Sequence, residues 1–145
     1  MKKVLFVCTG NTCRSPMAEM IFKDLLRKKD IDGIEVSSAG LYADEGGIAL
    51  KAKQTLESSG CVLTEFKSRQ ITGQMLEESD FVVCMTKSHK NALEGGQNVY
   101  SLDELTDCGD ISDPYGCSIE VYRKCFEQLS CALEILAEKV LGGEQ

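Results

Sequence analysis

Val4-Leu5-Phe6-Val7-Cys8-Thr9-Gly10-Asn11-Thr12-Cys13-Arg14-Ser15-Pro16-Met17 holds a strand, a loop and a helix start in direct succession. The apolar run Val4 to Val7, behind Lys2-Lys3, has the pattern of a short strand buried on both faces, as in a parallel sheet covered by helices. Pro16 suits the first turn of a helix, where its missing N–H is not needed. Met17, Met20, Ile21, Leu25 and Leu26 then recur at helical spacing. Cys8 to Ser15 therefore form the connection at the carboxyl end of a strand, where open α/β sheets place their ligands.

The rest of the chain repeats this alternation. A second strand is expected over Ile34 to Ser38, followed by Ala39-Gly40, and a helix over Ile48 to Ser59 that stops at Gly60. Thr72 to Ser79 reads as a short helix and Phe81 to Met85 as another continuous apolar strand. Lys87 to Leu93 is helical and ends at Gly95-Gly96; Val99 to Leu102 gives a fourth strand. The closing segment places Ile119, Tyr122, Phe126, Leu129, Leu133, Leu136 and Val140 on one stripe. Such a stripe could be a coiled-coil seam, but at the end of a domain it is better read as a helix facing the core. The prediction is a three-layer, doubly wound α/β domain with a central four-stranded parallel sheet and helices on both faces. No repeat, linker or low-complexity stretch divides residues 1–145, so a single monomeric domain is expected.

Charge and cysteine content narrow the function. Sixteen basic against 23 acidic residues give a net charge of −7, opposite to the footprint of a nucleic-acid binder. An anionic ligand must then be held by local groups rather than by the overall field. No apolar run is long enough to span a membrane, and Val4 to Val7 is too short for a signal peptide, so a cytoplasmic location is expected. Eight cysteines do not imply a disulfide framework in such a chain. Cys8 with Cys13, and Cys108 with Cys117, lack the tight spacing of structural zinc pairs. Cys125 and Cys131 would lie about 240° apart around one helix and could not bridge. The sole histidine, His89, falls among lysines on a helix expected at the surface, where solvent would surround it. Neither metal nor cofactor is expected.

The loop itself carries chemistry. Gly10 and Asn11 tolerate the left-handed conformation, so the chain can turn tightly and aim successive N–H groups inward. Such a nest, backed by a helix N-terminus, binds phosphate-sized anions, and Arg14 adds a planar fork matched to phosphate oxygens. Cys8 stands at its mouth, where amides, helix end and Arg14 all favour the thiolate. Ser15 can donate a hydrogen bond to that sulfur. Any one of these features alone is common in turns and helix starts; together, as C-x5-R-S at a strand–helix junction, they are specific. Cys13 lies in the same turn, within reach of a reversible Cys8–Cys13 disulfide after oxidation, or else is simply buried behind the loop.

Val7 to Glu19 resembles the signature of the low-molecular-weight protein tyrosine phosphatase family. The resemblance extends through Ser38-Ala39-Gly40, Cys84-Met85 and Asp113-Pro114-Tyr115-Gly116. It implies a nucleophilic Cys8, a phosphate-binding Arg14, a loop-stabilising Asn11, a Ser15 that assists the thiolate, and Asp113 as general acid. Relatives in the tyrosine-specific branch carry a histidine within the stretch matching Leu63 to Gln70, where this chain has Phe66; the donors that hold Asn11 are then unassigned.

Thr12 bears on the substrate. Tyrosine-specific relatives usually have a branched apolar residue there, whereas Cys-Thr-Gly-Asn-Thr-Cys-Arg resembles the bacterial protein-arginine phosphatases. A threonine hydroxyl can hydrogen-bond a guanidinium or the attacking water, unless it merely satisfies a loop amide. The substrate implied is phosphorylated protein, bearing phosphoarginine or, as the alternative, phosphotyrosine, bound along Thr9, Gly10, Asn11, Thr12, Cys13 and Ser15, with Leu41, Tyr42 and Tyr115 as candidate walls. Thioredoxin-linked arsenate reductases are similar in fold and loop, but they relay a disulfide through further cysteines after the third strand. Here Cys84 ends that strand and Thr86 to Leu93 contain none.

Overall fold

In a computed structural model that describes residues 2–44, 46–93 and 96–142, four parallel strands lie in the order β2-β1-β3-β4. They are β1 (Lys2–Cys8), β2 (Ile34–Gly40), β3 (Phe81–Cys84) and β4 (Val99–Ser101). The helices are α1 (Arg14–Lys28), α2 (Leu50–Ser58), α3 (Gly73–Glu78), α4 (Lys87–Ala92), α5 (Leu102–Thr106) and α6 (Ile119–Gly142). The expected architecture is present. Gly95, expected to close α4, lies outside the described residues.

Alternation along β1 divides the interior. Val4, Phe6 and Cys8 face the larger core, with α1, α2, α5 and α6, while Leu5 and Val7 face a smaller one with Ala39, Val82, Cys84 and Val99. Phe6 meets Phe22 of α1 edge-to-face, with ring centroids 5.6 Å apart. The α6 stripe is core: Tyr122, Leu129, Leu133, Leu136 and Val140 are buried in this cluster, and Ile119 and Phe126 pack against it. Met75 and Leu76 of α3 and Leu93 after α4 cover the opposite face.

One helix departs from the sequence reading. Leu102, expected to end the fourth strand, begins α5 because Ser101 caps it at once. Ser101 Oγ accepts from the Glu104 amide, and Glu104 Oε1 accepts from the Ser101 amide at 2.7 Å. This reciprocal pair is the capping box encoded by Ser-x-x-Glu.

The sheet brings the end of β2 against the loop after β1. A methyl group on Gly40 would stand 2.6 Å from the Thr9 carbonyl oxygen and 2.9 Å from the Asn11 nitrogen. Neither backbone atom can yield without moving the loop. Gly40→Ala is expected to cost about 1–3 kcal/mol in urea denaturation and to remove most activity, while an alanine at the open position Gly73 leaves activity intact.

Candidate active site

The loop after β1 is held by donors from outside it. The carbonyl oxygens of Cys8, Thr9 and Gly10 accept from the amides of Leu41, Tyr42 and Asp44, those of Thr12 and Cys13 from Ala49 and Met17, and that of Asn11 from Ser68 Oγ. Six successive carbonyls are thereby turned away from the loop centre. Because a trans peptide sets N–H opposite C=O, the amides of residues 9–14 are turned toward it. Asn11 adopts the left-handed conformation, with φ 56°, that the tight turn requires.

Behind the loop, a line of polar side chains runs to the sulfur. Lys23 Nζ donates to Glu19 Oε2 and Ser38 Oγ to Glu19 Oε1, both at 2.6 Å. Asn11 Nδ2 donates to Ser38 Oγ at 3.0 Å and to Ser15 Oγ at 2.8 Å, and Asn11 Oδ1 accepts from the Arg69 amide at 2.9 Å. Both amide hydrogens of Asn11 are therefore committed. Ser15 Oγ, accepting from Asn11, keeps its own hydrogen for Cys8 Sγ, 2.9 Å away. The donors to Asn11 left unassigned in the stretch Leu63 to Gln70 are thus Ser68 Oγ and the Arg69 amide, with Ser38 Oγ as an acceptor, while Phe66 packs on the larger core. Glu19 and Ser38 both lie in segments that carry the resemblance, but their pairing was not legible there, because nothing in local spacing pairs a helix residue with a strand end.

In front lies a cavity of about 280 Å³ lined by Cys8, Thr9, Gly10, Thr12, Cys13, Arg14, Tyr42, Asp44, Asp113 and Tyr115. Asn11 and Ser15 stand behind the loop, not in the cavity. Arg14 is buried; its Nη1 donates to the Ile111 carbonyl at 3.0 Å and its Nη2 to Thr9 Oγ1 at 3.3 Å. Asp113 Oδ2 is 3.8 Å from Arg14 Nη2, and Asp113 Oδ1 accepts from the Tyr115 amide at 3.1 Å. The aromatic walls Tyr42 and Tyr115 are highly exposed at the rim.

Two expectations are revised, and one residue joins the site. Leu41 is not a wall: it follows Ala39 on the same side of the chain and packs on the smaller core. Asp44, which nothing in its sequence neighbourhood singled out, joins the cavity because its amide is tied to Gly10. His89 is not solvated but 6% exposed, its Nε2 lying 2.9 Å from Thr9 Oγ1. The short α4 turns it inward, beneath the lysines that suggested a surface face.

Burial makes four of the remaining thiols less acidic. Burial pushes the Cys84 and Cys125 thiols up to about 12 and Cys61 up to about 11. Cys13, next to Tyr122, is also raised, chiefly by desolvation. Among the described residues no group of three or more His, Cys, Asp or Glu could hold a metal ion, and no helix is long and apolar enough to cross a membrane.

A thiol, a buried guanidinium and a carboxylate around inward-turned amides define a cysteine-based phosphate site on a parallel α/β sheet. Residues 3–144 match the family model for low molecular weight phosphotyrosine protein phosphatases, and the chain belongs to that family. It is 40% identical over 147 residues to the protein-arginine-phosphatase of Geobacillus stearothermophilus, covering 95% of each chain. It is 36% identical over 137 residues to the low molecular weight protein-tyrosine-phosphatase PtpB of Staphylococcus haemolyticus, covering 88% of this chain and 91% of that one. Among solved structures it resembles a mutant of the YwlE arginine phosphatase with a phosphorylated active-site serine, at TM-score 0.88 and 33% identity, over 96% of this chain and 95% of that one.

His89 also links the site to stability. Burial first, and then the Arg14 charge, hold its imidazole down at about 4, against an ordinary value of 6.5. The unfolded chain therefore takes up this proton at a higher pH than the folded protein, and stability falls as pH drops through that window. Urea denaturation should show a loss of about 2–3 kcal/mol between about pH 7 and about pH 4.5 that is absent in His89→Gln.

Proposed function

We propose that this protein is a protein-arginine phosphatase, a single-domain, monomeric cytoplasmic enzyme that needs neither metal nor cofactor. The observation that carries the choice of substrate is the state of Thr12. No loop amide among the described residues donates to its hydroxyl, whose neighbour is the Cys13 sulfur at 3.8 Å. The hydroxyl is thus available to the cavity it lines, and to a guanidinium N–H. Asp44 lines the same cavity beside the acid Asp113, and a carboxylate at its wall suits a cationic guanidinium better than a phenyl ring.

The reaction is two displacements. Cys8 Sγ attacks phosphorus as Ser15 donates to the sulfur; an S–P bond forms while the P–N bond breaks. Asp113 gives its proton to the departing guanidine nitrogen. Arg14 and the amides of residues 9–14 take up the charge on the equatorial oxygens. Water then attacks the phosphocysteine, Asp113 accepts its proton, and the thiolate leaves as inorganic phosphate forms. A water attacking near Thr12 meets a hydroxyl rather than a methyl.

Oxidation has its own route. If peroxide converts Cys8 to the sulfenic acid, the Cys13 thiol can displace water to form a disulfide. Both sulfurs line one cavity and both are free. Peroxide inactivation should be reversed by a dithiol in the wild type and become irreversible in Cys13→Ser.

The deciding experiment measures phosphate release from phosphoarginine- and phosphotyrosine-bearing proteins, with Cys8→Ser as the inactive control. Thr12→Ile is expected to lower the preference for phosphoarginine by about tenfold, and Asp44→Asn by about threefold, the scale of one or two lost hydrogen bonds. An unchanged ratio in Thr12→Ile would remove the argument for arginine.

A further inference from the structure

His89 is the only histidine of the chain, and the reaction above gives it no task. Yet its ring is buried and held at both nitrogens: Nε2 lies 2.9 Å from Thr9 Oγ1 and Nδ1 lies 3.0 Å from Thr86 Oγ1. Counting hydrogens gives these contacts a direction. Thr86 Oγ1 already accepts from the backbone N–H of His89 at 3.2 Å, which caps α4. Nδ1 is the one acceptor the structure gives its hydroxyl hydrogen; that donation satisfies the hydroxyl in full and leaves the ring hydrogen on Nε2, facing Thr9. Thr9 Oγ1 also accepts from Arg14 Nη2 at 3.3 Å. With both lone pairs occupied, the Thr9 hydroxyl hydrogen has the cavity before it, and Thr9 lines that cavity.

We propose that His89 is a positioning residue for phosphate binding. By donating from Nε2 to Thr9 Oγ1, it fixes a hydroxyl that holds Arg14 Nη2 on one side and offers its O–H to a phosphoryl oxygen on the other. Arg14 Nη1 is already anchored on the Ile111 carbonyl at 3.0 Å, so the guanidinium is set at two nitrogens before an anion arrives. Donors fixed in advance bind developing charge without the cost of reorganising. The fold supplies the placement: the Met85 amide donates to the Val7 carbonyl at 2.9 Å, which brings Thr86 and α4 beside the end of β1. Burial and the neighbouring Arg14 cation keep the ring neutral, against weaker pulls from Asp110 and Asp113.

The inference rests on the cavity being a phosphate site, and is independent of whether arginine or tyrosine bears the phosphate. Calorimetric titration of the full chain with inorganic phosphate tests it. His89→Leu should bind phosphate about tenfold more weakly, as should Thr9→Val, and the double variant no more weakly than Thr9→Val alone. His89→Gln, which keeps an N–H near the position of Nε2, should stay within about threefold of wild type. Wild-type affinity in a folded His89→Leu, or a Gln variant no better than Leu, would reduce His89 to packing and overturn the proposal. Should His89→Leu not fold, the imidazole resonances of the wild-type protein decide: a shift on adding phosphate supports the coupling, and no shift refutes it. A wild-type chain that takes up no phosphate would instead bring down the phosphatase reading itself.

Discussion

Six outward-turned carbonyls hold this site together. A peptide unit cannot turn its C=O away without turning its N–H the other way, so the donors fixing the oxygens of Cys8 to Cys13 also aim the amides of residues 9–14. These donors come from β2's continuation, the approach to α2, the first turn of α1 and the segment carrying Ser68. The anion cradle is therefore a property of how the sheet edge, two helices and a crossover meet. A protein with net charge −7 needs such a device, because its overall field repels phosphate and only local dipoles and Arg14 draw it in.

The same constraint gives the polar side chains their tasks. Asn11 sits in a conformation that favours few residue types, and its side chain is used in full: two hydrogens donated, one oxygen accepting. That arrangement leaves Ser15 with a single direction for its hydroxyl hydrogen, toward Cys8. Glu19 is buried yet carries two hydrogen bonds, and so secures Ser38 without leaving an orphaned charge. In front of the loop, Thr9 does for Arg14 what Asn11 does for Ser15, with His89 behind it. The Cys8 sulfur and the Arg14 guanidinium are each braced by a chain of polar contacts that begins on another element.

Capping, turn and periodicity signals made most of the fold readable. All four strands and five of the six helices were expected, because buried runs such as Phe81 to Cys84 and the α6 stripe declare their periods locally. Leu102 was misplaced since a strand residue and a helix N-cap can be the same serine, and only the Glu104 contact reveals which rule governs Ser101. Leu41 was misassigned for a related reason: the side on which a strand's continuation points depends on the register of the sheet, not on closeness in sequence to Gly40.

By itself the sequence determined which residues make up the loop of the site, because Cys8, Arg14 and the turn between them are contiguous, where spacing and residue type are enough. It also carried Asp113, through resemblance in the segment before α6. Only the tertiary structure decided what surrounds that loop. Glu19 with Ser38, Asp44 with Gly10 and His89 with Thr9 pair residues from separate elements, and no local period encodes which strand end or helix face will meet another. Those pairings follow from the order β2-β1-β3-β4, which sets both neighbours of β1 beside its loop and closes the site from either side.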